Sequence, residues 1–290
     1  MIKDPMRARY DEPFLTIGYS TLASRALAMV LPRHQPGVEL LIVVQQSPPG
    51  FDLDLLRRPD VRVIFDDGIG AARSRNIVID SSAGQYVLFG DDDVALITDG
   101  VEELLRVLER SPQLSFVQGR AVDETGQPRK RYPKRSVRLH RWNSAKIGTI
   151  ELMIRRADVV ASGVRFDERF GAGTTNYLGD EYVFIADALR SGLRGRFVPA
   201  SAAVHPVVSS GSGGGRQDDD RARSVVFDRV FGWWAPLGRL LFLLRRPQRF
   251  GTVRRSLRFV LGGPFPAKTS PLSEPTLRSI DHAADRATKR

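Results

Sequence analysis

Short apolar segments with strand character alternate with helical segments along the first 120 residues, and this alternation limits the fold more than any other feature. The segment VELLIVVQQ at 38–46 is almost continuously apolar and rich in β-branched residues, which is typical of a strand buried on both faces of a sheet. Further strands are predicted at 14–20, 61–65, 85–90 and 114–120, and helices at 21–31, 69–84 and 99–111. This order predicts an α/β fold with a mostly parallel sheet, whose ligands bind beyond the carboxyl ends of the strands.

The pattern changes after residue 120. Glycine, proline and basic residues interrupt it between 121 and 146. The segment 207–220 is rich in glycine and serine and predicts a flexible linker or loop, and the charged, Pro/Ser/Thr-rich tail from 264 is predicted to be disordered. Regular structure is predicted between these regions, with strands at 149–156 and 194–200 and a helix at 179–192.

Three consecutive carboxylates, Asp91, Asp92 and Asp93, follow the strand predicted at 85–90. In an extended backbone, residues i and i+2 point to the same side, so Asp91 and Asp93 can converge on one ligand. A hard divalent cation prefers such oxygen ligands and keeps phosphate oxygens among its other partners. A solvated acidic turn or a helix cap is the structural alternative. The place of the acids directly after a buried strand favours a site for metal and phosphate.

Two other places along the chain carry candidate functional groups. His205 follows the strand predicted at 194–200 and is a candidate metal ligand or diphosphate contact, or an ordinary surface or core histidine. Asp180 and Glu181 begin the helix predicted at 179–192, where the helix dipole favours the ionised form. A carboxylate held near a sugar hydroxyl can act as a general base, although acids in a first turn also stabilise a helix without any chemistry.

Taken together and in order, the segments FLTIGYS, VELLIVVQQS, GIGAARSRNIVIDSSAGQYVLFGDDDV, GTIELMIRR, VRFDERFGAG and GDEYVFIADALRSGLRGRFVPASAAVHP resemble the family 2 glycosyltransferases with the GT-A fold. The resemblance covers about 14–206, some two-thirds of the chain. It implies a Rossmann-like, mostly parallel sheet flanked by helices. It also implies an inverting transferase that uses a nucleotide-diphosphate sugar and usually Mg²⁺ or Mn²⁺.

The resemblance implies roles for the acidic residues and the histidine. Asp91 would contact the ribose or the metal, and Asp93 would hold the metal. His205 would lie at the metal or the diphosphate. Glu181 would be the base, with Asp180 positioning it or the acceptor. The family's usual order is Glu-Asp and here it is Asp-Glu, so either carboxylate remains a candidate for the base.

The resemblance also implies donor contacts. Arg75 and Asn76 match an Ala-Arg-Asn element that lines the nucleotide pocket, and Arg73 is a further donor contact or a helix-surface arginine. Asp92 belongs to the same donor-binding set. Where the family commonly has Asp-Asp or Asp-Gly near the nucleobase, this chain has Gln45 followed by Gln and Ser. An amide can pair with a uracil or thymine edge, so Gln45 is a candidate base contact and the donor is predicted to be a UDP- or dTDP-sugar.

The net charge of +11 is concentrated in two regions of the sequence. Between Arg221 and Arg258 stand ten arginines against one acid, Asp228, and a second basic run covers 129–142. The chain has no zinc-finger spacing and no RNA-recognition motif, so no nucleic-acid partner is expected. It also has no cysteine, which excludes disulfides and Cys-ligated zinc. No apolar stretch approaches 18 residues and the N-terminal segment lacks an apolar core, so neither a membrane-spanning helix nor a signal peptide is expected. The absence of cysteine is compatible with the cytoplasmic location that we expect.

The basic C-terminal region contains apolar residues at helical spacing. A helix with this pattern lies on an anionic membrane surface or packs on the catalytic domain. The Gly/Ser run at 209–215 is a candidate lid or a slack linker, and the basic run at 129–141 faces an anionic acceptor, such as a lipid-linked diphosphate sugar, or solvent. The apolar positions are Phe227, Val230, Phe231, Trp234, Leu237, Leu240, Leu241 and Leu244.

The sequence therefore predicts a catalytic domain at 1–206, with a nucleotide half at 14–120 and an acceptor half at 121–206. A linker at 207–223, a basic helical region at 224–263 and a disordered tail at 264–290 would follow. The expected function is metal-dependent, inverting transfer of a sugar to a hydroxyl of a cell-surface glycan or glycolipid, at the inner face of the cell membrane. The alternatives are a degenerate binding protein for nucleotide sugar or glycan, and a sugar-nucleotide pyrophosphorylase, which the loop GYSTLASR fits poorly.

Overall fold

The computed structural model describes residues 13–51, 58–205 and 216–262. The strands are β1 (Leu15–Leu22), β2 (Val38–Gln45), β3 (Val61–Asp66), β4 (Tyr86–Asp91), β5 (Ala95–Leu96), β6 (Phe116–Val122), β7 (Val137–Arg138), β8 (Leu152–Arg155) and β9 (Gly195–Val204). The α-helices are α1 (Ala23–Ala26), α2 (Ala71–Ser81), α3 (Thr98–Arg110), α4 (Arg156–Ser162), α5 (Asp180–Arg190), α6 (Arg216–Phe231), α7 (Ala235–Arg245) and α8 (Val253–Leu261). Short 3₁₀ turns occupy Thr149–Glu151, Gly232–Trp234 and Pro247–Arg249.

Within the described ranges the strands form one sheet in the order β3-β2-β1-β4-β8-β6-β9-β5, with β7 paired to β9. The first four strands in this order are parallel, and β6 and β9 are also parallel. Strand β8 runs antiparallel to both of its neighbours, β4 and β6. The predicted α/β fold with a mostly parallel sheet is confirmed.

Strand β2, which lies between β3 and β1, shows why the sheet is covered on both faces. Its residues Leu40, Ile42 and Val44 belong to a core cluster that includes apolar residues of α3. The residues between them, Leu41 and Val43, belong to a second cluster that includes residues of α2 and α5. Alternate side chains of a strand point to opposite faces, so a strand that is apolar at every position needs helices on both sides.

The helix predicted at 21–31 is wrong over most of its length. The structure has strand through Leu22, because the end of β1 pairs in register with the end of β2, and only one short turn of helix, α1, follows. Beyond that turn Leu27 and Val30 are exposed, whereas Met29 and Leu31 pack against the core without forming a helix. Strand pairing outweighs the helical spacing of this segment.

The C-terminal helices pack on the sheet domain. Helix α6 begins at Arg216, inside the stretch predicted as a linker, and its Phe227, Val230 and Phe231 are buried in a cluster with Tyr182 and other residues of α5. The helical region predicted at 224–263 is broken by two 3₁₀ turns. The candidate lid at 209–215 and the tail from 264 lie outside the described residues.

None of the helices in the described part of the chain combines the length and the apolar character needed to cross a membrane.

Candidate active site

The carboxyl ends of the four parallel strands β3, β2, β1 and β4 meet at one edge of the sheet. In register, Gln45 pairs with Leu22 of β1 and with Asp66 of β3, and Ser20 of β1 pairs with Asp91 of β4. Polar residues from segments far apart in sequence are therefore collected at this edge, where open α/β sheets bind ligands.

The three aspartates after β4 differ in their surroundings. The side chain of Asp92 is only 7% exposed and accepts hydrogen bonds from Thr21 (2.7 Å) and Arg25. The side chains of Asp91 and Asp93 are 36% and 35% exposed. Arg25 also lies 3.6 Å from Asp93. The middle aspartate is thus tied to the end of β1, while its two neighbours keep open oxygens that a cation or a phosphate-bound metal could reach.

Arg75 joins the acidic triplet to the acidic pair. Its buried guanidinium forms a salt bridge with Asp180, and its second terminal nitrogen lies 3.9 Å from Asp91. The same group lies 5.6 Å from the centre of the Phe166 ring. Burial raises the pKa of Asp91 above its usual range, although the positive charge of Arg75 opposes this effect. Helix α2 therefore supplies the countercharge between the two groups of acids.

The two acids at the start of α5 have different protonation behaviour. Asp180 is buried, and the resulting desolvation, together with the negative charge of Glu181, raises the pKa of Asp180 to about 7. Burial acts in the same direction on Glu181, but the charge of Arg75 and a 2.7 Å hydrogen bond donated by Thr149 outweigh it and hold the pKa of Glu181 below its usual range. Glu181 is therefore ionised at neutral pH, as a general base must be.

His205 lies beside the acidic turn. Its peptide N–H donates to the carbonyl of Val122 (2.9 Å), and the antiparallel pairing of Ala95 with Val204 places His205 one step further along, opposite Val94. Val94 directly follows Asp93 in the sequence, so His205 lies across the sheet from the end of the acidic triplet. In the parts of the chain that the structure describes, no three His, Cys, Asp or Glu side chains are assembled as a metal-binding group.

The donor set fits a divalent cation of the Mg²⁺ or Mn²⁺ type on chemical grounds. Such ions are commonly held by one or two carboxylates and complete their coordination with water and substrate phosphates, so a preformed three-ligand cage is not required. Asp91 and Asp93 are the carboxylates with open oxygens at this edge. Metal ligation by these residues and by His205 stays a prediction.

Gln45 holds the turn that precedes α2. Its side-chain oxygen accepts from the peptide N–H of Gly70 (3.1 Å), and its nitrogen donates to the Gly70 carbonyl (3.2 Å) and to Asp66 (3.2 Å). The amide of Gln45 is buried and engaged on both sides. The next residue, Gln46, is exposed and has a φ of +56°. A nucleobase contact through Gln45, as predicted from the sequence, would have to replace these bonds.

Two other residues of the predicted donor-binding set make contacts within the protein. Arg73 forms a bidentate pair with Asp66, at 2.8 Å and 2.9 Å, and its hydrogen bonds lower the pKa of Asp66 below the usual range. Asn76 accepts from the peptide N–H of Phe166 (2.8 Å) and donates to the carbonyl of Phe166 (3.0 Å). Arg73 has a half-exposed side chain beside the sheet edge, whereas Asn76 fastens a loop to α2. Their donor contacts remain predictions.

Sequence analysis missed Arg25, Thr21 and Thr149. Arg25 and Thr21 lie beside the acidic triplet because β1 is the sheet neighbour of β4, and strand order cannot be read from the sequence alone. Thr149 was assigned to a strand, but the structure has it in a 3₁₀ turn that directs its hydroxyl to Glu181. The polar residues at the end of β1 and in the helical turn that follows it are the available signal for the first two.

The family model described as "Glycosyl transferase family 2" matches residues 22–167, about half of the chain. The chain belongs to glycosyl transferase family 2. A curated relative from Haemophilus influenzae, described as an uncharacterized glycosyltransferase, is 40% identical over 76 residues, which are 26% of this chain and 23% of the relative. This chain therefore matches about a quarter of that relative's length.

Solved structures of glycosyltransferases share the fold of this family 2 chain. Residues 1–349 of TarS from S. aureus in complex with UDP-GlcNAc superpose with a TM-score of 0.56 at 12% identity, covering 85% of this chain and 75% of that one. The mannosyltransferase PcManGT from Pyrobaculum calidifontis, in complex with GDP-Man and Mn²⁺, superposes with a TM-score of 0.55 at 15% identity, covering 88% of this chain and 76% of that one. A longer TarS structure is covered over 40% of its length. At these identities the likeness establishes the fold, and the predicted GT-A fold is confirmed.

Proposed function

We propose that this glycosyltransferase moves a sugar from a nucleotide-diphosphate donor to a hydroxyl of a glycan or glycolipid acceptor, with inversion at the anomeric carbon. The observation that carries the proposal is the bridge by Arg75 between Asp91, at the predicted donor side, and Asp180, next to the predicted base. The likeness to proteins solved with UDP-GlcNAc and with GDP-Man supports a nucleotide-sugar donor. A UDP- or dTDP-sugar is the donor class that we propose to test first.

Glu181 is the proposed general base. Its pKa is held below the usual range and it is partly exposed, and the Thr149 hydroxyl fixes the carboxylate, which can accept the acceptor's proton. As the acceptor oxygen forms its bond to the anomeric carbon, the bond from that carbon to the diphosphate oxygen breaks on the opposite side. The electron pair leaves with the nucleoside diphosphate, and the proton stays on Glu181. Asp180 positions this carboxylate through Arg75 and the start of α5.

Asp91 and Asp93 are the residues that would hold Mg²⁺ or Mn²⁺, with His205 as a further candidate. A bound divalent cation would stabilise the negative charge that develops on the departing diphosphate. Asp92 stays tied to Thr21 and Arg25, and by that contact fixes the turn that carries its two neighbours. Arg73 and Arg75 lie on the same edge and supply positive charge for the donor phosphates.

We also propose that the protein associates peripherally with the cytoplasmic face of the cell membrane. The support is a set of exposed apolar side chains on the last helices, including the fully exposed Trp233, interspersed with arginines. Such a combination suits an anionic membrane surface.

The experiment that tests the reaction is donor hydrolysis in the presence of Mn²⁺, measured for a panel of nucleotide sugars. Glu181→Gln is expected to keep the thermal stabilisation by the donor and to lose turnover, while Asp93→Ala is expected to lose both. Wild-type rates in Glu181→Gln would remove this residue as the base. Stabilisation by a donor with no turnover in any condition would favour the degenerate binding protein, and formation of nucleoside triphosphate from donor and pyrophosphate would favour a pyrophosphorylase.

A further inference from the structure

Two segments of this chain carry positive charge without any acid. Residues 125–150 contain eight lysines and arginines, residues 229–262 contain eight arginines, and neither segment contains an aspartate or a glutamate. Several of the arginines in the second segment are neutralised by acids elsewhere, as Arg229 is by Asp167 and Asp187. The remaining ones hold their charge at the surface.

The two segments meet beside α5. The ring of Trp142 packs on the ring of Phe231 at 4.3 Å between centroids, and the guanidinium of Arg141 lies 5.8 Å from the same ring. The hydroxyl of Tyr182 in α5 donates to the carbonyl of Arg141. These contacts fix the basic loop against the C-terminal helices.

A cluster of four cations results, which we call the cationic cluster: Arg131, Lys146, Arg245 and Arg246. Lys146 donates to the carbonyl of Arg131 (2.8 Å). Partial burial, and then the charges of Arg246, Arg131 and Arg245, lower the pKa of Lys146. None of the four forms a salt bridge with a carboxylate in the described part of the chain. Concentrated like charge of this kind is unfavourable for folding and suits an anionic ligand.

The cationic cluster lies close to the proposed base. Lys146 precedes Thr149 by three residues, a span of at most about 11 Å, and Thr149 is bonded to Glu181. Lys130 holds this stretch in place, since it donates to the carbonyl of Lys146 (2.9 Å) and to the buried carboxylate of Glu151 (3.1 Å). The loop that carries Lys146 is therefore the same short stretch of chain that holds the proposed base.

An exposed apolar face leads up to the cluster. Leu237, Leu240 and Leu244 of α7 recur at spacings of three and four, so they share one side of the helix, and all three are exposed. Leu244 is 67% exposed and directly precedes Arg245. Trp233 and Trp234 lie at the other end of the helix. The surface thus offers apolar contacts along α7 and positive charge at its C-terminal end.

We propose that the cationic cluster binds the phosphate or diphosphate group of a lipid-linked acceptor, with the lipid chain along the exposed face of α7. The inference rests on the proposed function, because the acceptor's sugar hydroxyl must reach Glu181. It commits to one occupant, an amphiphile with an anionic head directly attached to its chain. A soluble anionic glycan would leave the leucine face unused, and a neutral glycolipid would leave the four cations unused.

The test uses farnesyl diphosphate as the probe and two matched double variants of the full chain. Arg245→Gln/Arg246→Gln removes two charges from the cluster, and Arg254→Gln/Arg258→Gln removes two charges from α8. Binding is measured by calorimetry with nucleotide and Mn²⁺ present to occupy the donor site. We expect the first variant to weaken binding about tenfold or more and the second to weaken it less than twofold. Lys146→Gln, from the loop, is expected to weaken binding severalfold and provides an independent check.

Farnesol and vesicles containing phosphatidylglycerol separate the alternatives. Farnesol is expected to bind at least tenfold more weakly than farnesyl diphosphate and equally to all variants. Equal affinity for the two probes, or equal losses in the two double variants, would overturn the proposal. If both double variants lose vesicle binding equally, and farnesyl diphosphate does not compete with the vesicles, the surface binds the bilayer alone. That outcome would also overturn the proposal.

Thermal stabilisation of the protein by nucleotide sugars, measured in parallel, distinguishes failure of this inference from failure of the proposed reaction. If nucleotide sugars stabilise the wild-type chain but farnesyl diphosphate does not bind, the acceptor inference fails and the proposed reaction survives. If farnesyl diphosphate binding depends on the cluster but no nucleotide sugar binds, the site stands and the proposed reaction fails.

Discussion

Replacing Arg75 with methionine tests the electrostatic arrangement of the site most directly. Arg75 and Asp180 are both buried, so the variant leaves the Asp180 carboxylate without its countercharge in a poorly solvated place. Removing one partner of a buried ion pair costs about 3–5 kcal/mol. We expect Arg75→Met to lower the free energy of unfolding by about this amount at pH 8.

The loss of unfolding free energy in Arg75→Met depends on pH, and the pKa of Asp180 decides the direction of that dependence. Its pKa of about 7 in the folded protein lies above the usual aspartate value of 3.8, so between these values the folded state binds more protons than the unfolded chain. Stability from this group therefore falls as the pH rises towards 7. Loss of Arg75 raises the pKa of Asp180 further, so at pH 5.5 the carboxyl is neutral and we expect the destabilisation to be about half of its value at pH 8.

Urea unfolding followed by circular dichroism at the two pH values measures both quantities. Arg165→Met is the matched control, because Arg165 pairs with Asp80 at the surface and such pairs contribute about 1 kcal/mol or less. Adding Asp180→Asn to Arg75→Met should recover part of the stability at pH 8. A destabilisation no larger than that of the control, or one that is the same at both pH values, would refute the reasoning.

Three further outcomes are expected. Thr149→Val removes the hydrogen bond that lowers the pKa of Glu181, so the acidic limb of the pH–kcat/KM profile should move up by about one pH unit. Thr149→Ser keeps a hydroxyl and should leave the limb in place. An unmoved limb in the valine variant would argue against Glu181 as the titrating base. Gly179→Ala should lower the free energy of unfolding by about 1–3 kcal/mol in urea denaturation, because Gly179 has a φ of +87° and a Cβ there would lie 2.6 Å from a methyl group of Val226; Val226→Ala in the same chain should recover part of it, and full additivity would contradict the contact. Dialysis against EDTA should abolish nucleotide-sugar stabilisation in a thermal-shift assay and Mn²⁺ should restore it, whereas stabilisation that persists in EDTA would exclude a metal at Asp91 and Asp93.

Much of the fold was predictable from the sequence because burial on both faces leaves a visible pattern, as in β2. The different environments of Asp92 and its two neighbours do not follow from the side-chain alternation expected of an extended segment, because Asp92 and Asp93 lie in a turn closed by a hydrogen bond from the Val94 N–H to the Asp91 carbonyl (3.2 Å). What could not be predicted depends on which strands are neighbours. Arg25 reaches the acidic triplet because β1 lies beside β4, and the amide of Gln45 is engaged because the start of α2 folds back over β2.

The C-terminal region shows a different limit. Its apolar spacing is compatible with binding to a membrane surface and with packing on the catalytic domain. In the structure some of these apolar residues are buried against the domain and others are exposed. Phe227, Val230 and Phe231 are buried against α5, whereas Leu237 and Leu244 are exposed. Sequence periodicity identifies an apolar side of a helix, but the partner of that side is decided by the rest of the fold.

Because α6 packs on the same helix that begins with Asp180 and Glu181, the last fifth of the described chain is a structural support for the acid pair. A protein shortened after residue 205 would expose the apolar side of α5 to water and release the start of that helix. Substitutions that disturb the packing of α6 on α5 should therefore change turnover as well as stability, because the same apolar contacts hold the start of α5 in place.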